Sequence, residues 1–180
     1  TGEQYVTMIL ASIISGAGAT QQMDGWHACG PLSCFGALSS GDIELLEYQY
    51  PILIHKYGLA EDSGGAGEYR GGCGTVWEVE PLDHTMTVIA FGEGRQHPTM
   101  GAGGAEQISP ELKVGLLEIL HKDGQTDLYR KNTVTEITPG ERARNINPGG
   151  GGYGSSFDRD IQAVIKDVKE RRWCVKKYAD

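Results

Sequence analysis

Glycine placement constrains this chain more than any other feature. There are 27 glycines among 180 residues, roughly twice the share of about 7% usual in globular chains. They gather in blocks, the densest being Asp62-Ser-Gly-Gly-Ala-Gly-Glu-Tyr-Arg-Gly-Gly-Cys-Gly74 and Pro148-Gly-Gly-Gly-Gly-Tyr-Gly154. Low-complexity disorder would scatter them through polar filler, whereas these blocks alternate with apolar, β-branched runs, the pattern of a folded domain with many specialised backbone positions. The six glycines of residues 62–74 exclude a regular element there, and the run is expected to form a set of tight turns.

The remaining elements are mostly short strands. Residues 4–14 are rich in β-formers and read as a buried strand or a short helix. Residues 23–40 lack periodicity and read as a long irregular loop of the kind that often carries function. Pro51 divides residues 42–57 into a short first element and an extended strand. Apolar or alternating runs at 75–80, 86–91, 113–120, 128–131 and 133–137 are separated by turn signals. After the second glycine block, Ser155 and Ser156 precede a helix expected over about 157–172, with Ile161, Val164, Ile165 and Val168 on one apolar face. The fold class is therefore mainly β with glycine-rich loops and a C-terminal helix (α+β overall), a sandwich or partly closed barrel. The expected organisation is a β-rich body over 1–154 with the segment 155–180 packed on it.

Composition removes several function classes. A formal charge of -8 and a pI near 5.1 oppose binding to a phosphate backbone or an anionic membrane surface. The sequence has no run of about 20 apolar residues and opens without a basic or signal-like segment, so a soluble, cytoplasmic protein is expected. The absent initiator Met fits a processed chain or a piece of a longer one. Cys29, Cys34, Cys73 and Cys174 form no Cys-x-x-Cys pair, as expected for reduced, structural thiols.

The chemistry-bearing residues admit two readings each. Neither glycine block reads as an ATP-binding loop, since there is no Gly-x-x-x-x-Gly-Lys-Ser/Thr and no glycine is followed by lysine. In residues 62–74 the bare backbone could approach a ligand or partner with Asp62 and Arg70 as anchors; alternatively the loop is a structural corner whose Asp62 and Arg70 pair with each other or with loop amides. Glu93, Arg95 and His97 alternate, so an extended chain would turn all three to one side for acid–base or anion-binding work, or they decorate a solvated turn. Asp24 and His27 could begin a metal site, but no second histidine stands at ligand spacing. His55, His84 and His121 are assigned no chemistry. Asp42, Glu44 and Glu47 read as a solvated face, with Glu47 able to enter a cleft.

One resemblance spans nearly the whole chain. Glu47-Tyr-Gln-Tyr-Pro51 followed by the 62–74 run resembles the hydantoinase B/oxoprolinase pattern, in which a Glu and a Pro precede an Asp-Ser-Gly-Gly-x-Gly-x-x-Arg-Gly-Gly-x-Gly loop. Gly16-Ala-Gly-Ala and Asp24-Gly25 agree upstream; Gly94-Arg95, Gly101-Ala-Gly-Gly104, Asn147-Pro-Gly-Gly-Gly-Gly-Tyr-Gly154 and Arg159-Asp160 agree downstream. The resemblance is to the C-terminal part of a B-type subunit. It implies partnership with an A-type subunit that binds ATP and phosphorylates a carbonyl oxygen, and with the remainder of the B-type subunit.

Cyclic amides such as hydantoins, lactams and 5-oxoproline are hydrolysed in this way, while a sister branch, the acetone and acetophenone carboxylases, joins bicarbonate to a ketone enolate. Phosphate makes a poor electrophile or nucleophile reactive, and nearby donors stabilise the developing charge. ATP and a divalent metal are expected on partner chains or in the N-terminal part of the B-type subunit, where the family's metal ligands lie; no metal ligand is carried onto this chain. The tail Trp173-Cys-Val-Lys-Lys-Tyr-Ala-Asp180 departs from the family's Tyr-Gly-Val close. Amide hydrolysis is favoured over ketone carboxylation. The catalytic candidates are Arg70, Arg95 and His97, and the substrate or interface loop comprises Asp24, Asp62, Ser63, Gly64, Gly65 and Arg70. A non-catalytic assembly module and a free-standing small-molecule binder are the competing classes.

Overall fold

The computed structural model describes residues 5–7, 9, 13–30, 41–92, 94–95, 97–105 and 115–170. Helix α1 (Ile43–Gln49) begins at Asp42, whose side chain accepts the N–H of Glu44 at 3.0 Å. Such a cap satisfies one of the donors that a helix start leaves over. Pro51 then ends any helical continuation, and strand β1 (Ile52–Leu59) follows. Glu47 does not enter a cleft: its carboxylate accepts the N–H of Ile54 at 2.7 Å, beside the register shift between Ile54 and Lys56. It thereby satisfies a backbone donor next to the β-bulge.

Six further strands complete the β structure: β2 (Thr75–Pro81), β3 (Met86–Ala90), β4 (Leu116–Leu120), β5 (Thr126–Tyr129), β6 (Thr133–Ile137) and β7 (Arg142–Ile146). They form an antiparallel five-stranded sheet in the order β1-β2-β7-β4-β5 and a two-stranded ribbon β3-β6. The ribbon is an excursion between β2 and β7 and shares a core with the sheet. Trp77 and Val79 from β2, Leu117 and Ile119 from β4, Ala143 from β7, Ile52 from β1, and Ala90 and Ile137 from the ribbon bury together. Each large side chain fully buried here stabilises the fold by about 1.5–3 kcal/mol. The fold is thus mainly β, as expected, but no strand pairing among the described residues closes a barrel.

Several expectations are corrected. Tyr5, Val6 and Thr7 form no strand, and Val6 is 98% exposed; no sheet edge pairs with them, and an extended segment without a partner keeps its backbone hydrated. Strand β5 lies two residues earlier than the run at 128–131. The central strand β7 was not expected at all, because Arg142, Arg144 and Asn145 hide its strand character. It is held by charge as well as by its ladders: Glu78 on β2 accepts from Arg142 Nη1 at 2.6 Å and Arg144 Nε at 2.7 Å, and Glu118 on β4 accepts from Arg144 Nη1 at 2.9 Å. Opposite charges side by side across strands favour this register.

Helix α2 (Ile161–Lys169) also starts later than expected. Ser155 caps a 3-10 turn (Ser156–Asp158), and Asp160, accepting from Ala163 N–H, caps the helix itself. Ile161 is 72% exposed and Ile165 is also exposed, so the inner face is made by Ala163, Val164, Asp167 and Val168. Residues 4, 8, 10–12, 31–40, 93, 106–114 and 171–180, on which parts of the first expected element, the expected loop, the β4 run and the helix end fall, lie outside the described residues.

Candidate functional site

Glycines 64, 65, 67, 71, 72 and 74 were expected to build tight turns, yet none has a positive φ, and neither do glycines 149–152. They serve close approach instead. Backbone segments from five parts of the chain stack on one another at the end of the sheet where β1 and β7 finish and β2 begins. Ala17 N–H donates to Trp26 O at 2.9 Å, Gly72 N–H to Ala17 O at 2.8 Å, Gly150 N–H to Gly72 O at 2.9 Å, Gly65 N–H to Gly150 O at 2.8 Å, and Ala102 N–H to Gly152 O at 2.9 Å. A Cβ on Gly71 would overlap the carbonyl of Gly150; one on Gly72 would meet Trp26, and one on Gly150 would meet Ala17. Only glycine permits backbones this close.

Around this bundle lies a buried ionic network. Arg159 donates to both carboxylate oxygens of Asp24 at 2.8 Å and to Asp167 at 2.8 Å. Arg70, 2% exposed, donates from Nε to Asp167 at 3.2 Å and from Nη1 to Gly71 O at 2.7 Å, while its backbone N–H donates to Asp24 at 2.8 Å. Two carboxylates and two guanidiniums thus join the 23–30 loop, the first glycine block and α2. Burial alone would raise the Asp24 carboxyl, but the hydrogen bonds from Arg159 and the Arg70 N–H, with both positive charges, hold it below the ordinary range. Burial opposes the charged form of Arg159, and Asp24 and Asp167 more than offset it, so its proton is held more tightly than usual.

Arg70 is therefore paired with Asp24 and Asp167. Asp62 occupies the left-handed corner at φ 56°, a conformation that Asp tolerates better than most residues. Ser63 is buried and ties that corner, donating to Ala60 O at 2.7 Å and accepting from Gly74 N–H at 3.0 Å. Gly64 and Gly65 sit against the backbones of Gly71 and Gly152. Asp24 and His27 do come together, but around the cationic Arg70: His27 Nε2 lies 3.3 Å from Arg70 Nη2, and Nδ1 accepts the N–H of Cys73 at 2.9 Å. That arrangement does not fit a metal, and no group of three or more metal-ligating side chains occurs among the described residues.

Arg95 and His97 do not converge. Arg95 is 8% exposed and His97 is exposed, while Glu93 lies outside the described residues. Arg95 Nη2 donates to Asn145 Oδ1 at 2.8 Å and Nη1 to Gly115 O at 3.3 Å. Asn145 donates in turn to Asn147, and Asn147 to Thr75, at 3.0 and 2.9 Å. Burial lowers the affinity of the Arg95 guanidinium for its proton.

Sequence reasoning missed Asp167, Asn145 and the pairing role of Arg159. An acid set among Ala163, Val164 and Val168 on one helical face was the available signal for Asp167, because an acid on an inward face calls for a buried partner. Gly149, Gly151 and Gly154 do satisfy a Gly-x-Gly-x-x-Gly spacing that the sequence reading passed over. Only a three-residue 3-10 turn follows its third glycine, and the N–H groups of Gly150, Tyr153 and Gly154 already donate to carbonyls of Gly72, Tyr69 and Ala102. These three donors are therefore not available to a nucleotide phosphate, which needs such donors free. No helix among the described residues is long and apolar enough to cross a membrane.

The chain is similar to caprolactamase subunit beta of Pseudomonas jessenii, 62% identical over 167 residues, which cover 93% of this chain and 29% of that one. It superposes on the crystal structure of ATP-dependent caprolactamase from Pseudomonas jessenii with a TM-score of 0.80 and 50% identity, over 96% of this chain and 30% of that one. An acetone carboxylase structure shares the fold at a TM-score of 0.70 and 21% identity, over 92% of this chain and 25% of that one. The chain thus spans less than a third of the length of these relatives. The model of the family described as hydantoinase B/oxoprolinase matches residues 1–156, and on that match and the 62% identity the chain belongs to the hydantoinase B/oxoprolinase family.

Proposed function

We propose that this chain is part of an ATP-dependent enzyme that opens a cyclic amide, of the caprolactamase type. The observation that carries the reading is the 62% identity to caprolactamase subunit beta across 93% of this chain. An amide carbonyl is a poor electrophile; a phosphoryl group on its oxygen lets water add to the carbon, expulsion of the ring nitrogen then leaves an acyl phosphate, and a second water releases the carboxylate and phosphate. ATP and a divalent metal belong, on this reading, to an A-type subunit and to the rest of the B-type subunit. What supports placing them there is that the N–H groups of Gly65, Gly71, Gly72, Gly150 and Gly154 are taken by backbone carbonyls and that Arg70 stands beside Asp24 and His27.

This chain supplies a rigid wall. Asp24, Asp62, Ser63, Gly64, Gly65 and Arg70 fix the glycine bundle in shape, as positioning residues, and residues 155–170 dock on it through Arg159 and Asp167. His97, being exposed, is available to a substrate or a partner subunit. Native mass spectrometry of the gently purified protein, followed by ATP turnover with a lactam or with a ketone plus bicarbonate, tests the reading. ATP-binding partners and lactam-dependent turnover are expected. Turnover only with ketone and bicarbonate, or a lone 19.4 kDa chain with no partners, would overturn it.

A further inference from the structure

Five arginines of the described residues are buried or half-buried: Arg70, Arg95, Arg142, Arg144 and Arg159. Four of them reach at least one carboxylate within 3.2 Å. Arg95 reaches none among the described residues and is held only by the neutral oxygens of Asn145 and Gly115. At 8% exposure this is an expensive arrangement, since an isolated buried charge costs several kcal/mol after relaxation and buried charges are normally paired.

The two neutral acceptors also aim the side chain. They take one N–H of each terminal nitrogen, leaving Nε–H and two further N–H groups of the five that a guanidinium carries. The Asn145–Asn147–Thr75 chain of hydrogen bonds fixes the first acceptor from behind. Gly115, at φ 53°, permits the second: a Cβ there would lie 2.9 Å from Arg95 Cγ. A planar guanidinium with three donors remaining suits a tetrahedral or carboxylate oxyanion.

We propose that Arg95 is an oxyanion seat for the phosphoryl group that activation places on the substrate carbonyl, a proposal that rests on the amide-hydrolysis reading above. The anion supplies the counter-charge that no described carboxylate gives Arg95, and the remaining N–H groups of the guanidinium hold the departing phosphate. Free phosphate and a carboxylate product share part of this chemistry.

The test is protection of individual arginines from phenylglyoxal on the intact 180-residue chain, mapped by mass spectrometry, with inorganic phosphate or acetate added. At phosphate about four times its Kd, modification of Arg95 should slow about fivefold, as 1 + [L]/Kd, with exposed Arg130 unchanged and acetate weaker. Phosphate should also raise the melting temperature of the native chain, and less so in Arg95→Lys, which keeps the charge and loses the fork. Better protection by acetate would overturn the phosphoryl assignment. No protection by either anion, or no modification at Arg95 even without anions, would overturn the site altogether. Protection without lactam turnover by the assembled enzyme sinks the amide reading and keeps the anion seat; turnover without protection sinks the seat alone.

Discussion

At residue scale the glycines divide into those that touch backbone and those that touch nothing. Gly71 lies against the Gly150 carbonyl, whereas a Cβ on Gly58, in β1, would meet nothing within 4 Å. Gly71→Ala should destabilise the fold by about 3 kcal/mol or more, because the neighbour is backbone and cannot rotate away. Gly58→Ala should be neutral or stabilise by up to about 1 kcal/mol through a less flexible unfolded chain. Urea denaturation midpoints of the two variants measure this, and equal losses would contradict it.

A second residue pair sets a pH window. His121 Nδ1 lies 2.7 Å from Glu141 and Nε2 lies 3.2 Å from Asp127. Glu141 is lowered to about 2 from 4.5, first by the His121 hydrogen bond and then by Thr138; His121 is raised from 6.5 by Glu141 and Asp127. The Glu141 contribution is present above pH 4.5 and is lost as pH falls towards 2. The His121 contribution is full below 6.5 and is lost as pH rises through its raised value. Both act together between 4.5 and 6.5. The native melting temperature minus that of His121→Gln should peak in that window, and a flat difference across pH would show that solvent screens the pair.

At the scale of elements, α2 is fastened by its acid more than by its apolar residues. Asp167 is 3% exposed and accepts from both Arg70 and Arg159. Asp167→Ala leaves two guanidiniums sharing Asp24 alone and should cost about 3–5 kcal/mol, with α2 amides exchanging faster in hydrogen-exchange measurements before the sheet does. Unchanged exchange in α2 would refute this. The hydrophobic period of the helix was legible in the sequence, but its inward face was not, because the docking force is ionic and Ile161 and Ile165 face outward. Strand β3 was legible from alternation that matched burial, whereas β2 was legible as an apolar run and is buried almost throughout. Strand β7 was not, since its strand character depends on Glu78 and Glu118 from elsewhere in the chain.

For the whole molecule, family and β class were legible because the glycine motifs are long and specific. The role of those glycines was not: composition announces that backbone freedom or closeness is needed, and only the three-dimensional stack decides which. The candidate site shows the same division. Asp24 and Arg70 were picked out, while their partner Asp167 is distant in sequence and carries no motif. Arg95 and His97, adjacent by alternation, part company because one enters the polar chain of Asn145 and Asn147 and the other stays at the surface.

The glycine stack also has a consequence in time. Its hydrogen bonds join residue 17 to 26 and 72, 65 to 150, and 72 to 150, so loops of several tens of residues must close before most of its layers exist. Such long closures are slow relative to local pairing. As the chain leaves the ribosome, β1 and β2 can pair early, but the stack must wait until residues 148–154 have emerged. The part of the molecule with the least side-chain matter therefore assembles late, and α2 can dock on it only afterwards.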